Sequence, residues 1–251
     1  MSLLSYLLHT RPRIDNVLST LDKSRLRLPV VNLRTLFDGF DDELVTLREL
    51  PVGPWSSPVA DVVVLAKIAL CLKPRRVLEV GSYRGYTTKI LAEHTPSDTR
   101  IVALDRDSRH GEAYKDLPIA AKIERRVGNV SDAEFSQDAR GAYDFIFLDA
   151  DHHYEAVRHD TEVLMPLLAP DGVFIWHDYA NWGRFSKQNG VPEVLHDTAE
   201  KYPVVAIGGS WLAMHMPVWL KDEGATRLAV ACQSAKDIQC GEDPWQAKQL
   251  R

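Results

Sequence analysis

The stretch Arg76-Val-Leu-Glu-Val-Gly-Ser-Tyr-Arg-Gly-Tyr-Thr-Thr88 reads as a short buried strand, a glycine turn and the opening of a helix. Val77, Leu78 and Val80 form an apolar run too short for a helix, and Gly81 ends it. A helical pattern resumes after Gly85 with Ile90, Leu91 and Ala92. A strand that turns directly into a helix aims the free N–H groups of the helix N-terminus at whatever binds there. The two glycines allow a ligand close to the main chain. Glu79, just before the turn, repels a pyrophosphate and favours a ligand that carries an amine. A dinucleotide fingerprint needs G-x-G-x-x-G, and Tyr83 stands where its second glycine belongs.

At 251 residues, 45% of them hydrophobic, the chain can bury one substantial core. A net charge of −5 and a pI near 6.0 give no electrostatic footprint for nucleic acid. No apolar run reaches membrane-spanning length, and Met1–His9 lacks the segments of a signal peptide. Cys71, Cys232 and Cys240 have no metal-type spacing and read as reduced thiols of a cytoplasmic protein. Cys232 and Cys240 could pair, but nothing in the sequence requires it.

Outward from the opening stretch, the chain divides into three parts. Residues 1–55 read as a helical preface, in which Leu44, Leu47 and Leu50 form a stripe behind the acids Asp41–Glu43. Ser57 is the expected N-cap of a buried helix over 58–72, with Pro58 in its first turn. From Arg76 onward strands and helices alternate, the pattern of a parallel sheet covered on both faces. Strands are expected over 76–80, 101–105, 121–127, 143–148 and 172–176. Helices are expected over 86–94, 107–117, 131–137, 153–168 and 190–201. Pro203–Ile207 and Trp211–Met216, joined at Gly208-Gly209, read as an antiparallel pair that closes a domain spanning 56–218. Residues 219–251 show no clear periodicity and read as a partly ordered tail.

In open α/β sheets, ligands bind beyond the carboxyl ends of the strands. The second strand ends at Asp105, whose carboxylate can accept two hydrogen bonds from a ribose diol, while Asp107 is better placed to cap a helix. The third ends Gly128-Asn129-Val130-Ser131-Asp132, offering amide and hydroxyl groups to an adenine edge or forming an ordinary loop capped by Asp132. The fourth ends at Asp149 and continues Ala150-Asp151-His152-His153, and the fifth ends His177-Asp178. Carboxylates and imidazoles thus meet in one crevice and can hold a divalent ion. In the bland alternative, Asp149 and Asp178 serve helix N-termini and the histidines pack.

The residues Glu79–Gly85 form E-x-G-x-x-x-G, which resembles motif I of class I S-adenosylmethionine (SAM) methyltransferases. Read on to Thr87, the pattern is similar to that of the catechol and caffeoyl-CoA O-methyltransferase branch, E-x-G-x-Tyr-x-Gly-Tyr-Ser/Thr. The resemblance spans residues 56–216. It implies a Rossmann-like, doubly wound, mostly parallel seven-stranded sheet with a C-terminal antiparallel hairpin strand and helices on both faces. It implies SAM as cofactor, held by Glu79, Gly81, Ser82, Tyr83, Gly85 and Thr87 at the methionine end. Asp105 with Arg106, then Gly128, Asn129 and Val130, and finally Asp149, complete that set.

The same resemblance implies methyl transfer to a hydroxyl of a small molecule, assisted by Mg²⁺ or another divalent metal on Asp149, His177 and Asp178. Related enzymes carry a lysine base three residues after the first metal ligand. Here that position is His152, as in macrolide-sugar O-methyltransferases, and histidine titrates near neutrality without a large pKa depression. His177 departs from the family's acidic or acid-amide pair. A metal-dependent hydroxylase on the same fold and a non-catalytic SAM-binding protein are the alternative readings. The oligomeric state is left open, a homodimer among its options. The acceptor pocket is expected from variable loops, including Trp182, Arg184, Phe185 and Trp211.

Overall fold

The computed structural model describes residues 28–50, 56–132, 138–180 and 189–240, with side chains as far as residue 236. Expectations for residues 1–27, for a helix through 133–137, for Trp182, Arg184 and Phe185, for the Cys240 side chain and for residues 241–251 lie outside these.

Eight strands form one sheet: β1 (Val30–Val31), β2 (Arg76–Val80), β3 (Arg100–Asp105), β4 (Ile123–Val127), β5 (Tyr143–Leu148), β6 (Leu168–Trp176), β7 (Val205–Ile207) and β8 (Ala213–His215). Their order across the sheet is β1-β7-β8-β6-β5-β2-β3-β4. Strands β2 to β6 are mutually parallel where they pair, and β8 runs antiparallel to both β6 and β7. The chain winds outward from β2 through β3 and β4, then returns to the other side of β2 with β5. Strand order therefore reverses at the β2/β5 seam, where the carboxyl ends part into a crevice.

Side chains alternate across the sheet and fill two cores. Leu78, Val80, Ile146, Leu148, Phe174 and Trp176 lie in one, and Val77, Phe145, Phe147, Val173 and Ile175 in the other. Strand β5 (Tyr-Asp-Phe-Ile-Phe-Leu) is almost continuously apolar because both of its faces are covered. The helices are α1 (Leu33–Leu36), α2 (Val59–Leu72), α3 (Tyr86–Glu93), α4 (Tyr154–Leu164), α5 (Val191–Ala199) and α6 (Asp222–Cys240). Among the described residues no helix is long and apolar enough to cross a membrane.

Several local expectations need correction. Residues 41–50 form no helix: Leu44 and Leu50 are exposed, while Val45 and Leu47, two apart, pack on Val62, Ala66 and Ile90. Residues 107–117 are successive turns. Two of their main-chain N–H groups are taken by the glycine turn, Gly111 donating to the Tyr83 carbonyl and Ala113 to that of Arg84. The preface contributes an edge strand, β1, paired with β7. The supposed tail contains α6, whose buried stripe of Leu228, Ala231, Cys232 and Ala235 follows helical spacing with small residues that a hydropathy pattern underweights. Cys71 and Cys232 are free thiols.

Candidate active site

The first wall of the crevice is the turn after β2. Gly81 has φ +90°, and a β-carbon there would overlap the main chain at Asp149. Its N–H donates to the Leu104 carbonyl at 2.9 Å, and Asp149 N–H donates to the Val80 carbonyl at 2.9 Å. The turn is thus sewn to the strands on either side. Tyr83 also takes a positive φ, 45°, and its N–H donates to Asp105 Oδ2 at 2.7 Å. Asp105 Oδ1 accepts from Asp107 N–H at 2.8 Å. Gly85 (φ +84°) begins α3, and the Tyr114 ring occupies the space a side chain there would need.

Glu79 is buried beneath this turn. Its Oε2 has no hydrogen-bond partner, and burial pushes the carboxyl up to about 8. A buried carboxyl below a bare main-chain turn is suited to receive an ammonium group.

The second wall is built from charged side chains at the ends of β5 and β6. Asp149 follows β5; His177 and Asp178 follow β6, and Asp178 holds φ +58°, a left-handed conformation that Asp tolerates better than most residues. His152 Nε2 pairs with Asp178 Oδ2 and lies 3.9 Å from Asp149 Oδ1. His177 Nδ1 sits 3.2 Å from Asp149 Oδ1 and 3.4 Å from Asp178 Oδ2, while its Nε2 meets Asp61 Oδ2 at 3.0 Å. Ser57 Oγ donates to Asp149 Oδ2 at 3.3 Å rather than capping α2, whose cap is Pro58.

Charge compensation governs this cluster. Burial disfavours charge on His177, yet Asp149, Asp178 and Asp61 hold its pKa well above the ordinary histidine value. Burial likewise opposes charge on His152, and the Asp178 carboxylate overrides it, so its pKa is also raised. Asp178 is held low against its own burial by the two imidazoles.

Between the walls opens a cavity of about 750 Å³. Gly81, Tyr83, Asp105 and Arg106 line one side, with Gly128, Asn129 and Val130 beside them. Asp149, His152, His177 and Asp178 line the other. Four sequence-selected residues stand behind the lining. They are Glu79; Ser82, whose hydroxyl meets His110 Nδ1 at 2.8 Å; Gly85; and Thr87, which is buried in α3. Two residues that the sequence reading did not assign to the site support the second wall: Ser57, read as a helix cap, and Asp61. Asp61 carried a signal, being the lone carboxylate in the apolar helix Val59–Leu72.

The groups fit the cofactor that the fold implies, and three of them could also hold a divalent metal. For SAM there are a cradle at Gly81 that a β-carbon would fill, an orphaned buried carboxyl oxygen on Glu79, and a volume in the range of small-ligand sites. For a divalent metal, donor atoms of Asp149, His152 and Asp178 lie within 4.8 Å of one another.

Residues 78–179 match the family model described as a methyltransferase domain. A caffeoyl-CoA O-methyltransferase from Populus kitakamiensis is 26% identical over 176 residues, covering 63% of this chain and 73% of the relative. One from Stellaria longipes is 32% identical over 136 residues, covering 51% of this chain and 55% of the relative. Among solved structures, the O-methyltransferase TomG from Streptomyces achromogenes, in complex with SAM, superposes with a TM-score of 0.55 at 19% identity, covering 72% of this chain and 95% of that one.

Proposed function

We propose that this chain, a class I SAM-dependent methyltransferase related to the broad O-methyltransferase family, transfers a methyl group to a hydroxyl of a small molecule, with His152 as general base and a divalent cation assisting. The observation that carries the proposal is the single cavity bounded by a Gly81–Asp105 wall and an Asp149–His152–Asp178 wall. It gives donor and acceptor adjoining places, as in-line transfer requires. Residue 152 is a histidine where the catechol and caffeoyl-CoA pattern is expected to carry a lysine base. The catalytic domain is assigned to residues 56–218.

In this reading the main chain at Gly81 and the carboxyl of Glu79 receive the aminoacyl end of SAM, and Asp105 orients its ribose. SAM supplies a methyl group already activated on a sulfonium. Asp149, Asp178 and His177 would hold the cation, which would lower the pKa of a hydroxyl beside it. His152 takes the acceptor's proton. Asp178 accepts from Nε2–H of His152 and stabilises the imidazolium that forms.

Calorimetry with SAM and S-adenosylhomocysteine (SAH), followed by turnover of a panel of hydroxylated sugars and phenols with and without EDTA, tests the assignment. SAH binding with EDTA-sensitive methylation of one panel member is expected, and Asp149→Ala should lose turnover while still binding SAH. SAH binding with no methylation across the panel would favour a binding protein. Full EDTA-sensitive turnover by Asp149→Ala would overturn the metal assignment.

A further inference from the structure

We infer that Asp61, in the first turn of α2, is a positioning residue that aims His177 Nδ1 at the cation site. The inference rests on the proposed placement of a divalent cation between Asp149 and Asp178. Asp61 is 1% exposed and His177 5% exposed, so water plays little part in orienting either. Asp61 uses both carboxylate oxygens: Oδ2 faces His177 Nε2 at 3.0 Å, and Oδ1 accepts the Trp211 main-chain N–H at 3.0 Å. A carboxylate can only accept at these positions, so Nε2 must carry a hydrogen.

The opposite nitrogen, Nδ1, is buried and makes no hydrogen bond of good geometry, although two carboxylate oxygens lie within 3.4 Å. A buried polar atom without a well-formed bond calls for a partner, and a cation held by the two neighbouring acids would supply one. Metal-bound histidines characteristically donate their second N–H to a carboxylate, which fixes ring and tautomer. Asp61 supplies that carboxylate from a helix outside the strand ends. It also ties the β7–β8 connection, through Trp211, to the same ring. A nitrogen donor beside two carboxylates shifts preference from Mg²⁺, which favours all-oxygen shells, toward Mn²⁺ and its later neighbours.

Asp61→Asn separates positioning from scaffolding. Its amide oxygen can still accept from Trp211, while its NH₂ group faces Nε2 and forces the tautomer with hydrogen on Nδ1. Mn²⁺ affinity, measured by calorimetry on the full chain at a temperature where the variant is folded, should fall about 10- to 100-fold, with SAH affinity unchanged. Asp61→Glu, which keeps a carboxylate, should recover part of that affinity. In the His152→Gln background, pulsed EPR of bound Mn²⁺ should retain a nitrogen coupling, which comes from His177.

Wild-type Mn²⁺ affinity in Asp61→Asn, or absence of that coupling in His152→Gln, would overturn the positioning role and leave the methyltransferase reading standing. A wild-type protein that binds SAH but neither Mn²⁺ nor Mg²⁺ would overturn the role together with the metal part of the proposed function.

Discussion

The wall at the ends of β2 and β3 owes its shape to the main chain, and the wall at the ends of β5 and β6 owes its shape to side-chain charge. In the first, positive-φ residues and carbonyls of neighbouring strands make a groove in which Gly81 cannot grow a side chain. In the second, Asp61, His177, Asp149, Asp178 and His152 form one chain of ion pairs, and the backbone is special only at Asp178. A groove made of backbone is intolerant of substitution but indifferent to pH. A wall made of ion pairs tolerates some changes of shape but not a change of charge.

The contrast is most sharply tested at Gly81. Gly81→Ala places a methyl group into the Asp149 carbonyl at a left-handed φ, so a loss on the order of 4 kcal/mol in chemical denaturation is expected, with SAH binding abolished. If the variant melts like the wild type, the backbone account of the first wall is broken. On the second wall, His152→Gln should lower turnover by about 100- to 10,000-fold while SAH affinity in calorimetry stays unchanged. Loss of SAH affinity there would show that the two walls are not separable.

A third test asks whether pH spares the first wall entirely, because Glu79 beneath it is an exception. The folded carboxyl keeps its proton up to about 8, whereas the unfolded one releases it at its ordinary value near 4.5. Between these values the unfolded state binds fewer protons, so this group makes stability fall as pH rises and adds no further slope above about 8. Melting temperatures of ligand-free Glu79→Gln, compared with wild type from pH 5 to 9, should show the difference widening with pH in the variant's favour. A flat difference would contradict the burial of an uncompensated carboxyl. The smallest effect is expected at Ser57, whose single bond to Asp149 is 3.3 Å long. Ser57→Ala should cost about 1 kcal/mol or less in transition-state stabilisation, read as a few-fold drop in kcat/KM.

The same division explains what could be read from the amino-acid order. Strand-turn-helix at Arg76–Thr88 and the apolar run of β5 depend on neighbours in sequence, and both are where periodicity puts them. The strand-end rule also located Asp149, His152, His177 and Asp178, because it needs only strand ends and topology. Asp61 and Ser57 reach the site from the start of α2, and no local pattern tells a helix-capping role from a contact 92 or 116 positions away. The turns over 107–117 escaped for a related reason, since the Gly111 and Ala113 N–H groups go to Tyr83 and Arg84 instead of to helical acceptors. In α6, alanines and a cysteine make the buried stripe, and small side chains carry little hydrophobic signal.

The bond from Leu28 N–H to the Tyr179 hydroxyl, 2.7 Å long and buried, spans 151 positions. Tyr179 directly follows Asp178, so Leu28 fastens the strand end that carries the charged wall. Closing so long a loop costs entropy before any contact rewards it. Tying Leu28 to this strand end therefore carries a large loop-closure cost, which the buried bond and the packing around it must offset.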